Sequence, residues 1–152
     1  MDTTLKVRVK YIRPEQDKDI PLPKRMSPKA AGIDLFAAIA GPVELPPLSI
    51  AKIPTGIALE LPEGHEGQVR PRSGLAAKYG ITLLNSPGTI DQDYRGEIQV
   101  ILINLGEKPF TVKRGMRVAQ LVVAPVTLCE VIEAKELEDT SRAGGGFGST
   151  GL

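Results

Sequence analysis

The chain of 152 residues carries 19 Lys and Arg against 18 Asp and Glu, a net charge of +1, so no global field draws it to nucleic acid or to an anionic membrane. Its single cysteine, Cys129, excludes an intramolecular disulfide and a cysteine-rich zinc site. No apolar stretch has the length of a membrane span and the opening MDTTLKVRVK lacks the apolar run of a signal peptide, so the expected location is the cytoplasm.

The length suits one ordinary domain with a tail. Leu5, Val7, Val9 and Tyr11 alternate with Lys6, Arg8 and Lys10, the period of a half-buried strand. Short β-like runs follow at 49–53, 55–61, 66–70, 81–85, 96–105, 109–112 and 117–126, punctuated by prolines and glycines that leave no room for long helices. The one expected helix is the short SGLAAKYG, 73–80, and Glu130 to Leu137 reads equally as a strand end or a helical turn. The pattern predicts an all-β sandwich or jelly roll.

Two of these strands are apolar on both faces. In GEIQVILINL, Ile98, Val100 and Leu102 point one way while Ile101, Ile103 and Leu105 point the other. A small sandwich has one inner face per sheet. The second face therefore needs a cover, either another copy of the chain in a symmetric assembly or an internal sheet layer.

Polar clusters interrupt the apolar pattern. Asp34 sits among small and apolar residues in AAGIDLFAA, where a carboxylate needs a hydrogen bond or a cation, or else forms an Asx turn. Arg72, Ser73 and Gly74 open the expected helix, as an anion site or with Ser73 as an ordinary N-cap. NSPGTIDQDYRGEI, 85–98, reads as a hairpin, yet Tyr94 after two acids suggests a ligand-facing one. Its backbone would read a flat heterocycle, the Tyr94 ring would form a wall, and one Asp would serve as a base. Gln120 is the one polar side chain among apolar neighbours, a satisfied core amide or a ligand contact. The ending SRAGGGFGSTG offers Arg142 for a phosphate, close-approaching glycine amides, the Ser149 and Thr150 hydroxyls, and Phe147 to stack on a base; a disordered tail is the competing account. It is not a Walker loop, for it lacks the lysine. His65 looks like a loop histidine with no second His near it.

In order, AAGIDLFAA (30–38), PRSGLAAKYGI (71–81), GTIDQDYRG (88–96), GMRVAQLVV (115–123) and RAGGGFGSTG (142–151) closely resemble the motifs of the trimeric dUTP diphosphatases, the dUTPases. Ala143 is the main departure, since the family's tail commonly reads Arg-Gly there. The resemblance implies a distorted jelly-roll homotrimer with a β domain over 1–139 and an arm over 140–152 that closes an active site of a neighbouring subunit. It implies Mg2+-dependent hydrolysis of dUTP to dUMP and pyrophosphate, which limits uracil in DNA and supplies dUMP for thymidylate synthesis. Asp91 is then the general base and Tyr94 packs on deoxyribose. Asn85, Gly88, Thr89, Ile90 and Gln99 meet uracil. Arg72, Ser73, Gly74 and Gln120 hold phosphates, and Arg142, Phe147, Gly148, Ser149 and Thr150 close the site. Asp34 either reaches the metal through water or orients a phosphate-binding Arg, the Mg2+ being held mainly by substrate phosphates. The alternatives are a dCTP deaminase or bifunctional deaminase-diphosphatase of the same fold, and a non-catalytic trimeric β-sandwich.

Overall fold

The computed structural model describes residues 4–149. Eleven strands and two short helices follow in chain order: β1 (Arg8–Tyr11), α1 (Pro14–Asp17), β2 (Ile33–Phe36), β3 (Val43–Leu45), β4 (Ile50–Pro54), β5 (Ile57–Glu60), β6 (His65–Arg70), α2 (Ser73–Tyr79), β7 (Ile81–Leu83), β8 (Gly88–Ile90), β9 (Gln99–Asn104), β10 (Phe110–Val112) and β11 (Arg117–Pro125). All pairings of these strands are antiparallel. They build a four-stranded sheet β2-β11-β6-β8, a three-stranded sheet β4-β9-β7, and the pairs β1-β5 and β10-β3. The architecture is the expected all-β jelly roll.

The inward-facing alternate residues form one main core. Val100 and Leu102 of β9, Leu35 of β2, Leu45 of β3, Val112 of β10 and Leu121 of β11 are all buried within it. Burying each such side chain stabilises the fold by about 1.5–3 kcal/mol before entropy is counted. Asn104 is a buried amide with every group satisfied. Its Nδ2 donates to Leu45 O and Lys108 O, each at 2.8 Å, and its Oδ1 accepts from Gly106 N at 2.8 Å. It thereby ties the end of β9 to the end of β3 and to the turn that leads into β10.

The β9 pattern resolves as expected on one face. Ile98, Val100 and Leu102 are buried, whereas Ile101 and Ile103 are half-buried and Leu105 is exposed. The described residues of the single chain therefore leave this second face partly uncovered. The expected helix is present as α2 and stops at Gly80, whose φ of 69° supplies the left-handed C-cap that closes helices, donating its amide back to Ala76 O at 3.0 Å.

Four readings change. The stretch 5–11 pairs only from Arg8, and Pro14 at the first helical position starts the unexpected turn α1. Strands β2 and β3 arise in segments for which the sequence predicts no strand, because each finds a partner far along the chain, the nine-residue β11 and the three-residue β10 respectively. Glu130 to Leu137 is neither strand nor helix, and its apolar side chains Val131, Ile132 and Leu137 are exposed, so no other described residue covers them. Most important, 85–98 is not a paired hairpin. Strand β8 pairs with β6 while β9 pairs with β4 and β7, so the two limbs belong to different sheets.

Candidate active site

The splaying of β8 from β9 opens a cavity of about 300 Å³. Asn85, Gly88, Thr89, Ile90, Asp91, Tyr94 and Gln99 line it, together with Lys52 and Glu97, which the sequence reading did not single out. Because β8 ends its sheet and pairs only with β6 among the described strands, its other edge leaves backbone donors and acceptors without a strand partner beside the cavity. An exposed carboxylate, Asp91, stands at the end of that edge, where it can reach water.

Past Asp91 the chain folds tightly. Tyr94 N donates to Asp91 O at 3.1 Å, and Arg95 Nη1 donates to Gln92 O at 2.6 Å and Tyr94 O at 3.0 Å. The turn returns the Tyr94 ring over Gly96, where a Cβ would collide with the ring and hydroxyl, so only glycine gives the ring this seat. The Tyr94 hydroxyl donates to Glu97 O at 3.1 Å. Hydrogen bonding from Arg13, above all, holds the Glu97 carboxyl below the usual carboxylate range, against the opposing effect of its burial.

A second cavity, of about 400 Å³, holds Arg72, Ser73, Gly74, Gln120 and Asp34, with Arg117 added. Asp34 is not an Asx turn. It lies in β2 opposite Gln120 of β11, with one oxygen 3.1 Å from Arg117 Nη1 and the other 3.5 Å from Arg72 Nε. Arg72 Nη1 also donates to Arg117 O at 3.2 Å. Two guanidinia around one carboxylate leave a net positive charge, which suits an anion. Gln120 donates from Nε2 to Pro71 O at 2.9 Å while facing the same cavity, so it is both partly satisfied and available. Ser73 is the first residue of α2 and makes no capping bond; the N-cap position belongs to Arg72. The signal for Arg117 was present in the sequence, since an interior carboxylate at Asp34 calls for a cation.

Among the described residues none lines both cavities, and none beyond Val126 lines either. The tail folds on itself, Arg142 Nε donating to Gly145 O at 2.8 Å and Ser149 N to Gly146 O at 3.0 Å. Phe147 is fully exposed, and both it and Ala143 take left-handed backbone, φ 50° and 43°, which costs a residue with a side chain. Gly148 follows Phe147 in the same turn, and Thr150 lies outside the described residues. Thus one chain forms the two halves of the expected site separately, and the described part of the arm lines neither. His65 contacts Glu63 O through Nδ1 at 2.8 Å, and among the described residues no cluster of three or more His, Cys, Asp or Glu is placed to hold a metal ion. No helix among the described residues is long and apolar enough to cross a membrane.

A family model for dUTPase matches residues 18–151. The deoxyuridine 5'-triphosphate nucleotidohydrolase of Caldanaerobacter subterraneus subsp. tengcongensis is 53% identical over 148 residues, covering 97% of this chain and 100% of that protein. Its namesake from Rhizobium etli is 57% identical over 143 residues, covering 93% and 92%. Among solved structures, a mutant dUTPase of Staphylococcus bacteriophage 80alpha with dUpNHpp superposes with a TM-score of 0.84 at 26% identity, covering 98% of this chain and 100% of that one. With a family match over nearly the whole chain and relatives of this identity over more than nine-tenths of their lengths, the chain belongs to the dUTPase family.

Proposed function

We propose that the chain hydrolyses dUTP to dUMP and pyrophosphate in sites assembled from several copies of itself. The hydrolysis follows from the family; the shared site is supported by one observation, the division of the nucleoside-facing and phosphate-facing residues between two cavities with no residue in common. A second copy would bring its Arg72 cavity to the Asp91 cavity, and an arm from another copy would close them. The incompletely covered face of β9, with Ile101 and Ile103, and the exposed side chains of 130–137 supply apolar surface for a homotrimer. In this division 1–139 is the β domain and 140–152 the closing arm.

The nucleoside enters between β8 and β9. Asn85, the backbone of Gly88, Thr89 and Ile90, and Gln99 meet the polar edge of uracil. Cytosine swaps a donor and an acceptor on that edge and would leave buried groups unpaired, a loss worth orders of magnitude in rate. Tyr94 packs against deoxyribose where a ribose 2′-OH would sit. Asp91 accepts a proton from a water whose oxygen bonds to the α-phosphorus as the bond to the bridging oxygen breaks and pyrophosphate leaves. Arg72, Ser73, Gly74 and Gln120 hold the phosphates, joined by Arg142, Gly148, Ser149 and Thr150 of the arm. Phe147 covers the base.

Mg2+ fits this donor set as an ion carried by the triphosphate. Both Asp34 oxygens face guanidinia, which favours Asp34 as the group that orients Arg72 and Arg117. Bound to the phosphates, Mg2+ supplies charge neutralisation for the transferring group. The exposed lone thiol of Cys129 suits a reducing compartment, and the proposed location is the cytoplasm. The near-zero net charge offers nothing to nucleic acid or a membrane surface.

The test is a nucleotide panel. Pyrophosphate release from dUTP that stops when Mg2+ is chelated is expected; ammonia release from dCTP would instead make the chain a deaminase, and brisk dTTP hydrolysis would refute the tight uracil pocket.

A further inference from the structure

Arg13 precedes the region that matches the family model, yet it reaches the loop that carries Tyr94. Its Nη2 donates to Glu97 Oε1 at 2.7 Å and its Nη1 to Oε2 at 3.1 Å, a fork-to-fork pair. Glu97 Oε1 also accepts the Gly56 amide at 2.9 Å. Behind the fork, Arg13 Nε lies 3.0 Å from Oδ2 of Asp17, a contact of charge without hydrogen-bond alignment. Asp17 is buried, and Arg114 approaches its other oxygen at 3.3 Å. The guanidinium is thus held from behind by α1 while it holds Glu97 in front.

The other end of Glu97 faces the nucleoside cavity. Its main-chain oxygen accepts the Tyr94 hydroxyl at 3.1 Å. Tyr94 is 46% exposed, so packing alone does not fix its ring; the hydroxyl anchor and the flat seat on Gly96 do. A carbonyl that shifts by about 1 Å would lose that hydrogen bond, whose strength falls steeply with geometry. The ring could then swing from the sugar.

We propose that Arg13 and Glu97 form a positioning pair for sugar selection: the fork fixes the Glu97 carbonyl, and the carbonyl fixes the Tyr94 ring against the 2′ position of the bound sugar. The proposal rests on the reading of Tyr94 as the wall that rejects ribose. Neither Arg13 nor the Glu97 side chain touches the substrate in this scheme.

The experiment measures kcat and KM for dUTP and UTP with the full-length enzyme as wild type, Arg13→Gln, Tyr94→Phe and the double variant. Arg13→Gln is expected to lower the dUTP-over-UTP ratio of kcat/KM about tenfold, chiefly by improving UTP, and Tyr94→Phe to do the same. The double variant should discriminate no worse than either single one, because both break the same anchor. An unchanged ratio in Arg13→Gln, or losses that multiply in the double variant, overturns the pair. Tyr94→Ala checks the underlying reading. If it leaves the ratio unchanged, Tyr94 is not the sugar wall and the pair's role falls with it; if it collapses the ratio while Arg13→Gln does not, the pair alone is wrong. Should Arg13→Gln fail to fold, Glu97→Gln, which keeps an acceptor for the Gly56 amide, carries the same expectation.

Discussion

Arg117 of β11 donates from Nη1 to Asp34 Oδ2 of β2 at 3.1 Å, across two strands that are paired in the four-stranded sheet. The contact aims a guanidinium of one strand with a carboxylate of its neighbour, and Arg72 shares the same carboxylate. Replacing Asp34 by Asn keeps the shape and removes the charge that holds both cations. A loss in kcat/KM for dUTP of up to about 100-fold is expected, with the melting temperature little changed. Steady-state kinetics with a thermal melt on the same sample checks it.

Asp91→Asn separates binding from chemistry. Affinity for a non-hydrolysable analogue should stay close to wild type while kcat falls by about 100- to 10,000-fold. Calorimetry and single-turnover assays read the two quantities, and near-normal turnover would remove Asp91 from the base role.

The outer face of β9 can be tested by charge. Ile103→Glu places a carboxylate on the half-buried side opposite the core. Sedimentation should show smaller species, with the far-UV spectrum retained and hydrolysis lost. Full activity in a monomer would mean that one chain completes its own site. By contrast Leu102→Ala, on the fully buried side, should cost about 2–5 kcal/mol of stability without a specific effect on assembly.

Truncation after Asp139 should leave the oligomer intact and abolish efficient hydrolysis. Phe147→Ala alone should raise KM for dUTP. A truncation that dissociates the oligomer would make the arm a structural element instead.

The Arg13 fork also has a pH signature. Its hydrogen bonds to Glu97 depress the folded-state pKa of that carboxyl, so the pair contributes stability above the ordinary carboxylate range. That contribution is lost as pH falls below about 4 and through the lowered folded value. Asp19, held down by its hydrogen bond to Arg114, adds a dependence of the same sign. Denaturant melts from neutral pH downward should show a shallower acid loss in Arg13→Gln than in wild type, since the Glu97 share disappears while the Asp19 share stays.

Much of this was legible in order along the chain. Alternation at Ile98, Val100 and Leu102 marked the core face of β9, and SGLAAKYG marked α2 because Gly80 could end it. Pairing partners were less accessible. Asp34 reads locally either as a carboxylate in need of a cation or as an Asx turn, and only the pairing with β11 decides for a strand residue facing two cations. The loop from Asn85 to Gln99 looks like a hairpin because turn residues lie between two apolar runs; which sheet each run joins depends on strands far away in sequence. Arg13 and Glu97 were invisible for the same reason, being 84 positions apart with no shared motif.

The free edge of β8 has a consequence for how base choice could change. If uracil is read by the main chain of Gly88 to Ile90, no side-chain swap at Thr89 can rewrite the code, because every residue carries the same amide and carbonyl. A new base preference would require moving the register of β8 against β6, by insertion or deletion, and a one-residue slip would turn every side chain of that strand over at once. Selectivity of this kind resists point substitution.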